Sequence, residues 1–147
     1  MNIEIHLEEE TFVINKSKSL IGEIYFIVKG SDYFPEKGWF DFPAVKLSWW
    51  AENVIKINNS SVGTEFKLRF MDGPLYVKGV KKEEDIVELK FIKEQLNSEN
   101  ILLAANVSLN TLEKAIRTAA EKVVIFENKN KLESPDTEIL KNQLKVL

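Results

Sequence analysis

The sequence predicts an α+β fold: a mostly antiparallel sheet of about six or seven strands, with one inserted helix and two C-terminal helices packed against it. Apolar residues alternate with polar ones along several short segments, which is the period of a half-buried strand. Turn-forming Gly, Pro, Asn and Asp separate these segments at short intervals. Elsewhere apolar residues recur every three or four positions, as they do on amphipathic helices.

The first strands are expected within residues 2–28. Residues 3–8 alternate apolar with polar side chains, and residues 11–15, after the acidic stretch at 8–10, are β-branched and aromatic. We therefore expect a hairpin between these two segments. Residues 20–28 form a longer run that is apolar on both faces towards its end, which predicts a central strand.

An aromatic loop over residues 30–42 and a helix over residues 43–57 follow. Pro43 suits the first helical position, where its missing N–H costs nothing. The helix carries an apolar stripe made of Leu47, Trp50, Ala51, Val54 and Ile57.

The second half predicts a strand meander over residues 64–107 and then two helices. The meander has turns at Asp72-Gly73-Pro74 and in the charged stretch 81–85. A helix over residues 111–126 follows, for which Asn110 is the expected N-cap with Glu113 reaching back to it. A polar linker over 127–133 leads to a helix over 135–145.

Length and composition predict one folded domain over residues 1–147, without internal repeats. The chain is 44% hydrophobic and 29% charged, which is close to the average of globular proteins. It contains no cysteine, so disulfides, thiolate nucleophiles and Cys-ligated metal sites are excluded. Neither a signal peptide nor a membrane-spanning apolar run is recognisable, and we expect a cytoplasmic protein that does not bind membranes.

The charge balance argues against nucleic-acid binding. The formal net charge is −3, and of the 20 basic residues only Arg69 and Arg117 are arginines. Nucleic-acid binders normally concentrate basic residues on one face and use arginine for phosphate contacts.

Residue types that carry catalysis are scarce. The one histidine, His6, stands on the polar face of the first predicted strand, where we expect a plain surface residue. No GxSxG, GxGxxG or phosphate-binding loop is present. Acidic residues cluster in predicted turns, where solubility or steering of a basic partner is their usual role. We therefore predict no catalytic residue, no cofactor and no metal site.

The aromatic segment is the candidate binding site. Trp and Tyr are favoured anchors in interfaces, and loops often carry function. Trp49 and Trp50 lie about 100° apart on the helix, so both cannot point into one core. The alternative is that the loop packs the helix onto the sheet, with Trp39 covering the open end of the core. The candidate residues are Tyr33, Phe34, Trp39, Phe40 and Trp49.

Three segments carry a resemblance. Residues 34–39 (FPEKGW), 47–50 (LSWW) and 70–74 (FMDGP) resemble a pattern in short uncharacterised bacterial proteins. In size, charge and lack of catalytic motifs the chain is also similar to bacterial toxin-immunity proteins. This second similarity is one of type rather than of motif.

Three hypotheses of function follow. The first is an intracellular protein-binding module, such as an immunity or inhibitor protein, with a basic protein partner. The second is a small-ligand-binding domain with an aromatic-lined pocket. The third is an enzyme built from carboxylates and tyrosine alone. The partner's identity, the oligomeric state and the strand order stay open.

Overall fold

A computed structural model describes residues 2–132 and 134–147, which form an α+β fold with two four-stranded antiparallel sheets and three helices. The predicted fold class is confirmed, but the strands divide into two sheets instead of one. In chain order the elements are β1 (Ile3–Ile14), β2 (Leu20–Val28), β3 (Asp32–Phe34), β4 (Phe40–Asp41), α1 (Pro43–Asn58), β5 (Glu65–Arg69), β6 (Leu75–Glu83), β7 (Ile86–Gln95), β8 (Ser98–Ser108), α2 (Leu109–Lys129) and α3 (Pro135–Leu144).

Sheet A consists of β1 to β4, and β1 is one long strand. The expected hairpin between residues 3–8 and 11–15 is wrong, because both segments pair with β2 and are separated only by a register shift between Glu8 and Val13. Thr11 stabilises this irregularity: its hydroxyl donates to the Glu8 carbonyl at 2.6 Å and accepts from the Glu23 N–H at 3.0 Å. The acidic residues therefore lie beside a bulge rather than in a turn.

The aromatic segment contains two short strands, so the prediction of one continuous loop over residues 30–42 is wrong. Phe34 of β3 pairs with Phe26, and Phe40 of β4 pairs with Glu23, so both strands extend sheet A on the same side of β2. Strand β2 is thereby central, as its apolar faces predicted. Strands of two or three residues are too short to show the alternation of apolar and polar side chains from which a strand is predicted.

Sheet B is the predicted meander, in the order β5-β6-β7-β8. Strand β6 continues to Glu83, which leaves only Glu84 and Asp85 between β6 and β7 where we expected a longer charged loop. Lys81 is fully buried on β6, and its Nζ donates to the Ile57 carbonyl at 3.3 Å and to the Ser60 carbonyl at 2.8 Å. This lysine ties sheet B to the C-terminal end of α1.

Helices α1 and α3 begin where the sequence predicted. Helix α2 begins at Leu109, and its N-cap is Ser108, whose hydroxyl accepts the Thr111 N–H at 2.9 Å. The expected cap at Asn110 is wrong because β8 passes directly into the helix, leaving Ser108 as the last extended residue. Helix α2 also extends to Lys129, into the predicted linker.

One hydrophobic cluster connects both sheets and all three helices. Aromatic rings form its centre: Phe26 of sheet A lies 5.7 Å from Phe91 of sheet B and 5.2 Å from Trp50 of α1, measured between ring centroids. Within residues 2–132 and 134–147, no helix combines the length and apolar character needed to cross a bilayer.

Candidate functional site

The five candidate aromatic residues divide between the core and the surface. Phe34 is 1% exposed and lies against Phe70 and Phe91, with ring centroids 5.6 and 5.3 Å away. Trp39 is half-buried against the core. These two residues pack against the core, which is the alternative to binding that the sequence analysis considered. Phe34 is too deeply buried to belong to a contact surface. The three exposed members are Tyr33 at 39%, Phe40 at 54% and Trp49 at 46%.

Tyr33 and Phe40 lie on the outward face of sheet A. Tyr33 pairs with Ile27, and Phe40 pairs with Glu23, on the face opposite to the buried Phe26. On the same face the Tyr25 ring centroid lies 5.1 Å from that of His6 and 5.8 Å from that of Tyr33. We call His6, Tyr25, Tyr33 and Phe40 the outer aromatic face.

Acidic side chains lie along one side of the outer aromatic face, while the Lys37 Nζ lies 5.7 Å from the centroid of the Tyr33 ring. Glu4 and Glu8 alternate with the inward residues of β1, and Glu8 pairs with Glu23 of β2. The His6 Nε2 lies 3.2 Å from the Glu8 Oε2. Burial, and then the neighbouring Glu23, raise the pKa of the Tyr25 hydroxyl above its ordinary value, so this residue stays neutral. The sequence named Tyr33 and Phe40 among five candidates, whereas the position of Tyr25 on the same face follows from the register of β2.

A second cluster, which we call the tryptophan corner, consists of Trp39, Asp41, Lys46, Trp49 and Met71. Its centre is Asp41, which is 3% exposed. The Asp41 Oδ2 accepts from the Trp39 Nε1 at 3.0 Å and from the Met71 N–H at 2.8 Å, and its Oδ1 accepts from the Phe42 N–H at 2.8 Å. These bonds fix β4 against the turn after β5.

Lys46 contacts the Trp49 ring. Its Nζ lies 3.8 Å from the centroid of the Trp49 ring, in cation–π contact, although Lys46 is only 3% exposed. Burial lowers the pKa of the Lys46 ammonium, and the charge of Asp41 partly opposes this. Trp50, the neighbour of Trp49, is fully buried and donates its Nε1–H to the Arg69 carbonyl at 2.9 Å. The predicted divergence of the two tryptophans is confirmed.

The three segments that carry the resemblance meet in space at Phe70. Its ring centroid lies 5.6 Å from that of Phe34, 6.4 Å from that of Trp39 and 5.1 Å from that of Trp50. Aromatic packing is therefore what the three segments share. Sequence reasoning missed Asp41 and Lys46, which look like ordinary polar residues between aromatic ones.

Among the described residues, no three His, Cys, Asp or Glu side chains stand close enough together to hold a metal ion. Five surface cavities have volumes from about 30 to about 490 Å³, and none of the five candidate aromatic residues lines any of them.

We compared the chain with protein-family models, with curated proteins and with solved structures, and none of them matches it.

Proposed function

We propose that this chain is a non-catalytic protein-binding module whose outer aromatic face contacts a basic partner. One observation carries the proposal: Tyr33 and Phe40 stay 39% and 54% exposed on the sheet face that also carries Glu4, Glu8 and Glu23. Aromatic side chains supply the contact energy of interfaces, and surrounding charges steer the partner and select its sign.

The packing of this face against buried residues supports the same function. Tyr25 is 4% exposed beneath the aromatic rings, and β2 joins the face to the core. A preformed surface loses little conformational entropy on binding. Immunity and inhibitor proteins are one class of binding protein that a small acidic chain of this kind suits. We do not propose the aromatic-lined pocket, because none of the five cavities is lined by the candidate residues.

Comparative affinity capture from the source cells tests the proposal. The bait is the wild-type chain or the double variant Tyr33→Ser/Phe40→Ser, and retained proteins are identified by mass spectrometry. The matched control, Val62→Ser/Leu96→Ser, removes two exposed apolar side chains elsewhere on the surface. We expect a basic protein to be retained by the wild type and the control, and its affinity for the double variant to fall at least about 30-fold.

Two results would contradict the proposal. One is a partner that the double variant retains as well as the wild type does, which would place the interface elsewhere. The other is the absence of any stoichiometric partner across growth conditions. Replacing Glu4 and Glu8 by lysine tests steering separately, because we expect it to slow association and to reduce its dependence on salt.

A further inference from the structure

A cleft of about 490 Å³ separates the N-terminal half of β1 from helix α2. It lies outside both aromatic clusters, although Glu4, which borders the outer aromatic face, also lines it. One wall is the edge of sheet A at residues 2–5, and the other is a polar stripe on α2 formed by Asn110, Thr111, Lys114, Thr118 and Lys122. Ala115 lies between these side chains and leaves room at the floor.

The strand wall presents backbone hydrogen-bonding groups. The Lys29 N–H donates to the Asn2 carbonyl at 2.9 Å, so Asn2 and Lys29 form a hydrogen-bonded pair in the ladder between β1 and β2. Because such pairs alternate along an antiparallel ladder, Ile3 and Ile5 direct their N–H and C=O groups away from β2. In the described part of the chain, β1 pairs with β2 alone. These groups therefore face the cleft.

The two walls have matching lengths. Four residues of extended chain, such as 2–5, span about 13 Å. Lys114, Thr118 and Lys122 follow one another at four-residue spacing on one side of α2, and eight residues of helix span about 12 Å. The cleft thus has the length of about four residues of a bound extended strand.

We propose that this cleft binds an acidic segment of a partner protein, which adds to β1 as a further strand. Backbone hydrogen bonds to Ile3 and Ile5 supply affinity, and side chains of alternate peptide residues reach α2. Lys114 and Lys122 face these peptide residues. Among the residues that line the cleft, Glu4 alone carries a carboxylate, so the two lysines favour glutamate or aspartate at the peptide positions that reach α2. The proposal does not depend on the outer aromatic face.

Synthetic peptides test this on the full chain by fluorescence polarisation. In one peptide valine alternates with glutamate, and in a second of equal length it alternates with lysine. A third is the glutamate peptide with N-methyl groups on alternate backbone nitrogens, which blocks strand pairing but keeps the charge. We expect the glutamate peptide to bind at least about tenfold more tightly than either of the others. The Ile3 and Ile5 amides should also exchange more slowly with the glutamate peptide bound.

The variant Lys114→Glu/Lys122→Glu should weaken binding of the glutamate peptide at least about tenfold. Lys129→Glu is the matched control, because Lys129 lies exposed on the same helix outside the cleft, and it should bind like the wild type. Absence of glutamate-peptide binding up to about 1 mM, or equal binding of the N-methylated or lysine peptide, would overturn the proposal. A dimer of the protein alone that Lys114→Glu/Lys122→Glu dissociates would also overturn it, because a second copy would then fill the cleft.

Discussion

Asp41 shows how much of the tryptophan corner depends on one side chain. Its two carboxylate oxygens accept three hydrogen bonds, from Trp39, Phe42 and Met71, and almost none of the residue is exposed. A buried carboxylate is tolerated only where donors replace the lost water. The charge of Asp41 in turn partly opposes the lowering of the Lys46 pKa by burial.

We expect Asp41→Asn to lower the free energy of unfolding by about 2 kcal/mol, because an amide replaces one accepting oxygen by a donor facing other donors. Urea denaturation followed by circular dichroism measures this change. Asp72→Asn, in the exposed turn after β5, is the control and should leave stability within about 0.5 kcal/mol. Equal effects of the two substitutions would contradict a central role for Asp41.

Glu127 is a second buried carboxylate, but its surroundings favour the protonated form. It lies at 2% exposure on α2, and its Oε2 has no hydrogen-bond partner within the described residues. The pKa of Glu127 is raised to about 7, chiefly by burial and secondly by the charge of Asp136 of α3, whereas Lys141 of α3 opposes the rise. Lys18 and Lys131 line the cavity beside Glu127.

The free energy of unfolding should therefore fall as the pH rises from about 4.5 to about 7. Between the ordinary pKa of 4.5 and about 7, the folded protein keeps the Glu127 proton that the unfolded chain has released. The loss should reach about 2–3 kcal/mol and then stay constant at higher pH. Urea denaturation at pH values from 5 to 8 measures it, and Glu127→Gln should flatten the profile. Glu121→Gln, at an exposed position on the same helix, is the control and should leave the profile unchanged. If the stability of Glu127→Gln falls with pH as steeply as that of the wild type, Glu127 is not the group responsible.

At the scale of elements, the pairing of β5 with β6 depends on a glycine. Gly79 stands opposite Phe66, and a Cβ atom at Gly79 would overlap the Phe66 ring. The Phe66 ring packs over the backbone of β6 at Gly79. A larger side chain in place of Gly79 would need the space that the ring occupies.

Gly79→Ala should consequently destabilise the protein by about 1–3 kcal/mol through overpacking. Gly73→Ala is the matched control, because an added Cβ there would meet no atom within 4 Å and the backbone conformation suits any residue. Thermal unfolding of both variants gives the comparison. If Gly79→Ala is as stable as Gly73→Ala, the Phe66 ring must be free to move aside.

The elements that the sequence predicted best are the long periodic ones. Strand β2, the meander and α2 all repeat their apolar pattern over enough residues to specify one period. Strands β3 and β4 have only three and two residues, so they form because β2 offers a free edge rather than because of their own pattern. The residue pattern within a short segment does not show which strand that segment will pair with.

At the scale of the whole molecule, the two sheets share a core. Phe91 of sheet B contacts Phe26 and Phe34 of sheet A, at 5.7 and 5.3 Å between ring centroids. A core that elements share couples their stabilities, so the sheets should unfold together.

We therefore expect one cooperative unfolding transition. All three tryptophans lie within residues 39–50, so their fluorescence reports on that segment, whereas far-ultraviolet circular dichroism reports on the whole chain. The two signals should change at the same urea concentration, and Phe91→Ala should shift both equally, by about 3–5 kcal/mol. Leu96→Ala, at a site that is 97% exposed, should shift neither. Separate midpoints would instead indicate two independently folding units.

The sequence proposed the residue types of the candidate site but did not predict their arrangement. From the sequence, five aromatic residues between 33 and 49 were candidates for binding, and three of the five are exposed. It did not indicate that Phe34 turns inward while its neighbour Tyr33 turns outward, because that depends on the register of β3 against β2.

By itself the sequence determined the fold class, regularly periodic elements such as β2 and α2, and the scarcity of catalytic residue types, because these follow from composition and periodicity. Only the tertiary structure decided which aromatics reach the surface, that Asp41 and Lys46 are buried together, and that β1 leaves an edge facing α2. The physical reason is that exposure and pairing depend on residues far apart in the chain. Tyr33 faces solvent and Phe34 the core through their pairing with β2, not through any local property of either residue.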